Sequence, residues 1–271
     1  MTHPIVSFTN VGKAFNIDGG IFQAINDFNL EVSEGEFIAV VGASGCGKST
    51  LLRLLVGLET DYSGDIRVDG RRVEVVGAGC GMVFQEHRLF PWLTVEGNVG
   101  LGLVNDGSTN EQKKRKVMEF IDLVGLSEFS RAYPHQLSGG MAQRVAIARG
   151  LVGSPRILLL DEPFGALDAL IRQQMQNELL QIREQSKITT VMVIHDAEEA
   201  IFLADRIVVM APRPGRIKRI IKVNLPRPRS RSQYEFHLLR EELLHELTSD
   251  ELYVLPNKNS INGIDSALIA Q

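Results

Sequence analysis

Nine consecutive residues, Gly42, Ala43, Ser44, Gly45, Cys46, Gly47, Lys48, Ser49 and Thr50, restrict this chain more than any other segment. They fit G-x-x-x-x-G-K-[ST], a pattern whose backbone wraps phosphate. EFIAVV, residues 36–41, leads into them as a continuous apolar run, the mark of a strand buried on both faces. LLRLLVGL, residues 51–58, leads away from them as a helix. A glycine-rich turn with a chance lysine has neither flank.

The chemistry follows from the backbone. Gly42, Gly45 and Gly47 permit a tight loop whose N–H groups turn inward. A helix that starts near Lys48 adds free N–H groups and the positive end of its dipole. Lys48 can reach terminal phosphates as a point charge. Ser49 offers its hydroxyl to magnesium, a hard cation that prefers oxygen. Cys46 occupies a variable position of the loop. With Cys80 it forms neither a disulfide framework nor a metal cluster, so both read as small reduced side chains.

A nucleotide hydrolase also needs an acidic strand, and ILLLDEP (residues 157–163) supplies one. Asp161, at its carboxyl end, is placed to hold magnesium. Glu162 is the candidate to polarise the attacking water. Ahead of this strand, LSGGMAQRVAIARGL (residues 137–151) reads as a helix capped by Ser138. Gly139 and Gly140 leave its first N–H groups open to an anion.

In these segments the chain resembles the ATP-binding cassette (ABC) ATPases. Leu137, Ser138, Gly139 and Gly140 match that family's signature motif. The resemblance implies an α/β fold: a P-loop NTPase with a RecA-like core, an antiparallel β subdomain and an α-helical signature subdomain. It implies ATP and Mg2+ as ligands. It also implies a homodimer, in which Ser138, Gly139, Gly140 and Asp168 of one copy face the nucleotide held by the other. Phe15 falls where the family stacks an aromatic ring on adenine. Gln85 matches the glutamine that senses magnesium and the γ-phosphate, and His195 the histidine that contacts the γ-phosphate. Met141 departs from the pattern, which usually carries glutamine there, and retuned turnover is expected from it.

Organisation and partners complete the reading. Residues 1–235 read as one ABC ATPase domain with a helical subdomain at about 86–153, and residues 236–271 as a short helical tail. Within residues 1–85, segments 5–11, 24–32 and 64–68 read as strands of an antiparallel sheet. Residues 113–126 carry Val117, Phe120, Ile121 and Val124 at helical spacing, beneath a solvated KKRK face. From residue 211 the chain is basic and proline-punctuated, suggesting two short strands. An amphipathic helix then presents Phe236, Leu239, Leu243 and Leu244 on one side. His3, His87, His135, His237 and His245 show no metal-ligand spacing.

The chain has 271 residues, a hydrophobic fraction of 44% and a formal charge of −4, which argues against a general nucleic-acid binder. No apolar run reaches the roughly 18 residues of a membrane span, and the start resembles no signal peptide. The resemblance therefore implies a peripheral subunit on the cytoplasmic face of the membrane. It would couple to separate permease subunits and, through them, to an extracytoplasmic binding protein. FQEHRLFPWLTVEGNV, DEPFGALDALIRQQMQ and IHDAEEAIFLADRIVVM resemble the branch that imports nitrate, aliphatic sulfonates and taurine. Phe90, Pro91 and Trp92 fit a socket for a permease helix. One rival is a soluble cassette ATPase acting on nucleic acid or ribosomes. Such proteins generally carry two cassettes or long insertions. The other rival, a small-molecule kinase, needs neither the LSGG segment nor His195.

Overall fold

The computed structural model describes residues 4–17, 19–74 and 79–248. The chain forms strands β1 (Val6–Ile17), β2 (Gly20–Val32) and β3 (Phe37–Gly42), helix α1 (Lys48–Leu55), and strands β4 (Ser63–Val68), β5 (Arg71–Arg72) and β6 (Cys80–Val83). Helices α2 (Val95–Gly100), α3 (Asn110–Leu123) and α4 (Gly139–Val152) follow. The rest alternates β7 (Ile157–Asp161), α5 (Ala169–Ser186), β8 (Thr189–Val193), α6 (Ala197–Leu203) and β9 (Arg206–Ala211), then closes with β10 (Arg216–Lys222) and α7 (Tyr234–Thr248).

Two sheets organise these elements. One has six strands in the order β10-β9-β3-β8-β7-β6 and the other four in the order β2-β1-β4-β5. In the first, β9, β3, β8, β7 and β6 run parallel, and β10 adds an antiparallel edge. The second is antiparallel throughout. Every residue of β3, β7 and β8 is buried, which explains their mainly apolar sequences, broken by Asp161 at the end of β7 and Thr189 and Thr190 at the start of β8. Strand periodicity divides them between two cores. Phe37, Ala39 and Val41 face a core built with α3 to α7. Ile38 and Val40 face a second core, shared with α1 and the antiparallel sheet.

Local signals set most of the ends. Helix α1 begins at Lys48, as expected, because Gly47 at φ 97° turns the chain straight into it. Helix α3 starts three residues ahead of Lys113 because Thr109 and Gln112 form a reciprocal capping box. Ser138 caps α4 as expected, its hydroxyl accepting from Met141 N–H at 3.2 Å. Beyond residue 211 the described chain has one strand, β10, in place of the two expected. Its partner β9 already ends at Ala211.

The basic tail is fastened to the body by its own charges. Arg219 pairs with Glu242 and Glu246 of α7. Arg227 pairs with Asp205 at 3.0 Å. Buried Arg229 donates to the carbonyls of Ile201, Phe202 and Ala204, closing the C-terminal end of α6. Phe236 and Leu243 of α7 are buried in the larger core, with Leu239 and Leu244 packed beside them. Residues 249–271, the rest of the proposed tail, and His3 lie outside the described residues.

Candidate active site

The carboxyl ends of parallel strands meet the start of α1 in one cleft of about 440 Å³. Phe15, Ser44, Gly45, Gly47, Lys48, Ser49, Thr50, Gln85, Glu162 and His195 all line it. Segments up to 180 residues apart in sequence thus converge as the motifs require.

Each wall has a cause. Lys48 is 5% exposed, and its ammonium donates to the carbonyls of Gly42 (2.9 Å) and Ala43 (3.0 Å). Those bonds tie the lysine to the loop it emerges from. Ser49 donates its hydroxyl to Asp161 Oδ1 at 3.0 Å, so the first helical turn meets the end of β7. Burial, with help from the neighbouring Glu162 charge, pushes the Asp161 carboxyl above its ordinary range, while the Ser49 hydroxyl pulls it back. A serine hydroxyl beside a buried carboxylate is a hard oxygen pair, the donor set that suits magnesium.

Glu162 is held from two sides. Gln85 Nε2 donates to its Oε2 at 3.1 Å, and His195 Nε2 lies 2.5 Å from its Oε1. Its backbone sits at φ 48°, a left-handed conformation unusual for glutamate, and its N–H donates to Val193 O at 3.1 Å. The turn aims the carboxylate back into the cleft. Strain of this kind is tolerated where surrounding structure over-determines it. Gln85 joins Glu162 directly and lines the same cleft as Ser49.

Phe15 enters from the antiparallel sheet, opposite Phe22 across the β1–β2 pair. Buried Lys13 lies over its ring at 4.7 Å and is itself held by Glu59 and Asp61. Cys46 is buried, and desolvation raises its thiol pKa, so it stays protonated as a packing residue. Burial pushes Cys80 up to about 11, with the same consequence.

Ser138, Gly139, Gly140 and Asp168 do not line this cleft. Ser138, Gly139 and Asp168 are exposed. Asp168 caps α5, its Oδ1 accepting from the N–H groups of Leu170 (3.1 Å) and Ile171 (3.0 Å). A Cβ at Gly140 would stand 3.4 Å from Leu167, so the signature helix start and the Asp168 loop are neighbours. Within one copy they form a separate surface. Met141 packs its thioether against the larger core.

Three lining residues, Phe22, Ala24 and Arg213, carry no signal in any motif. Phe22 could have been found only by pairing β1 with β2 in register around Phe15. Arg213 comes from the β9–β10 turn, far along the chain. His87 and His135 make ordinary local contacts. Leu89 N–H donates to His87 Nδ1 at 3.4 Å, and His135 stacks on Tyr133.

Comparison with known proteins agrees with this geometry. Residues 25–165 match the family described as ABC transporter. The aliphatic sulfonates import ATP-binding protein SsuB of Bacillus cereus is 46% identical over 89% of this chain and 95% of its own length. The nitrate import ATP-binding protein NrtD of Synechocystis is 44% identical, over 91% and 93%. A dimeric ATP-binding cassette in a post-hydrolysis state, bound to ADP and Pi, superposes with a TM-score of 0.76. It is 32% identical, with 82% of this chain and all of that chain covered. With its loop, acidic strand and signature helix in these positions, the chain belongs to the ABC transporter family as an ATP-binding cassette ATPase.

Proposed function

We propose that this chain is the ATPase subunit of an importer for a small anion, an aliphatic sulfonate or taurine first and nitrate second. Two copies would sit on the cytoplasmic face of the membrane beneath separate permease subunits, which receive cargo from an extracytoplasmic binding protein. The names of the similar import proteins support the direction of transport and the cargo class. Among the described residues no helix is long and apolar enough to cross a membrane.

One observation carries the reading: Glu162, gripped by Gln85 and His195, sits in the same cleft as the phosphate loop. ATP would lie with its adenine on the open face of Phe15 and its phosphates along Gly45 to Thr50. Lys48 neutralises charge on the terminal phosphates. Ser49 and Asp161, with Gln85 nearby, would hold magnesium, which supplies charge neutralisation at the phosphate oxygens. Glu162 orients water and takes its proton as the water oxygen bonds to the γ-phosphorus and the bond to ADP breaks. His195 fixes the Glu162 carboxylate and offers a donor to the γ-phosphate. Ser138, Gly139, Gly140 and Asp168 of the second copy would close over the nucleotide, which accounts for the exposure of Ser138, Gly139 and Asp168 here.

Glu162→Gln tests the scheme, because it keeps the shape of the side chain and removes the base. The expected result is retained ATP binding, nearly abolished turnover and a trapped ATP dimer. Unchanged steady-state hydrolysis would reject Glu162 as the base. An ATP-loaded variant that stayed monomeric beside its permease would reject the shared site. Co-purification with a polytopic membrane protein tests the importer assignment, and recovery of a nucleic-acid complex instead would overturn it.

A further inference from the structure

The β9–β10 turn does more than connect two strands. It is pressed onto the phosphate loop. Gly215 N–H donates to Ala24 O, and Asn26 N–H donates to Gly215 O, both at 2.9 Å. A Cβ at Gly215 would stand 2.0 Å from Cys46 O and 2.9 Å from Ala24 O, so only glycine permits this approach. The turn is therefore wedged between β2 and the glycine loop, and Arg213 rides on it two residues away.

Arg213 lines the cleft with Phe15, Phe22 and Lys48. Its Nη2 lies 3.8 Å from where a Gly45 Cβ would be. Among the described residues its guanidinium makes no hydrogen bond and no ion pair. Arg216, three residues on and exposed, likewise makes neither but is absent from the cleft lining, whereas Arg219, Arg227, Arg229 and Arg231 are engaged with side chains or carbonyls of the body. An unspent guanidinium thus stands on an anchored turn beside Gly45, in the wall of the cleft that holds Lys48.

We propose that Arg213 is a contact for the phosphate chain of the nucleotide, reaching it from the β9–β10 turn beside Gly45 and setting affinity rather than the rate of bond cleavage. The inference rests on the ATP-binding reading of the cleft. Its chemistry is that of a planar fork of donors, which matches phosphate oxygens in pairs where an ammonium supplies a single point. Lys48 is tied to the loop's own carbonyls, whereas Arg213 approaches from solvent, so its contribution is screened by salt.

The test uses the full chain carrying Glu162→Gln, so that nucleotide is not consumed. Affinities for ATP, ADP and AMP are measured by calorimetry with Arg213, Arg213→Gln and Arg213→Lys. The expected result is about a tenfold loss for ATP on Arg213→Gln, equivalent to about 1.4 kcal/mol. The loss shrinks through ADP to AMP. Arg213→Lys falls between, and raising salt narrows the gap between the arginine and glutamine forms. In the chain with Glu162 intact, Arg213→Gln raises KM for ATP and leaves kcat unchanged. Equal ATP affinity of the arginine and glutamine forms, both folded by thermal melt, would overturn the inference. So would a loss of equal size for AMP and ATP, which would place Arg213 at the nucleoside end. If the chain with Arg213 in place binds no ATP, the ATP-binding reading itself fails and this inference with it.

Discussion

Replacing Asn98 by alanine should dismantle the surface that presents Trp92 while leaving the nucleotide cleft untouched. Asn98 is fully buried, yet it is an amide. Its Oδ1 accepts from Phe90 N–H at 2.8 Å. Its Nδ2 faces the carbonyls of Phe90 (3.2 Å), Leu93 (3.1 Å) and Thr94 (3.0 Å). Two amide hydrogens serve three acceptors, so one is shared. The side chain is thus the inner spindle of the loop from residue 89 to 94, which has few other internal bonds. Alanine leaves the Phe90 N–H without its partner, a cost of about 1–3 kcal/mol, and removes two donated bonds of about 1 kcal/mol each. The loop lies at the surface and water recovers part of this, so the net loss is about 2 kcal/mol. A chain of 271 residues then melts about 3–4 °C lower. Trp92 is the only tryptophan in the chain, 70% exposed, with its ring 5.3 Å from that of Phe90. Its fluorescence therefore reports on this loop alone, and quenching by acrylamide should rise as the ring pair is lost. Binding of ATP should not change, because Asn98 is absent from the cleft lining. An unchanged melt together with unchanged quenching would refute the assignment of Asn98 as the organiser. Asn98→Asp, which turns the donors into a buried carboxylate facing the carbonyls of Phe90, Leu93 and Thr94, should lower the melt at least as far as alanine.

Three other outcomes are expected. Glu199 has its carboxyl pushed up to about 7 by burial and then by Asp196, against an ordinary 4.5, despite Arg172 and Arg231 nearby. The folded chain holds that proton more tightly than the unfolded chain, so its contribution is greatest below 4.5 and is lost as pH rises to 7. Glu199→Gln should therefore gain up to about 3 kcal/mol on wild type at about pH 8 and little at about pH 4 in denaturant melts; a pH-independent difference would refute this. Lys48→Ala should weaken ATP binding itself, and normal affinity in a direct titration would contradict the role given to the loop. Met141→Gln should change the steady-state rate by giving the signature helix a side-chain amide, and an identical rate in the purified pair would show the substitution to be neutral.

What the sequence disclosed was local. The phosphate loop, the acidic strand and the Ser138 cap are each encoded within a dozen neighbouring residues, so pattern alone finds them. The α7 face was readable too, since Phe236 and Leu243 recur at helical spacing. A helix boundary moved where a cap was overlooked, as at Thr109. Arg213 was not legible. A basic, proline-rich stretch looks like a solvated loop until the hairpin folds it across the glycines of a segment some 170 residues earlier. The same applies to Arg229, whose acceptors lie 25 to 28 residues upstream and are main-chain oxygens without sequence identity.

That arginine has an effect at a distance. Helix α6 is clamped at both ends, by the Asp196 side chain accepting from Glu198 and Glu199 N–H at its start and by Arg229 at its finish. His195 is the residue immediately before the first clamp. A protein cut short ahead of position 229 would retain every recognisable motif, yet the imidazole would hang from a helix unmoored at its far end. The C-terminal stretch, silent in chemistry, thereby sets how firmly the histidine is aimed.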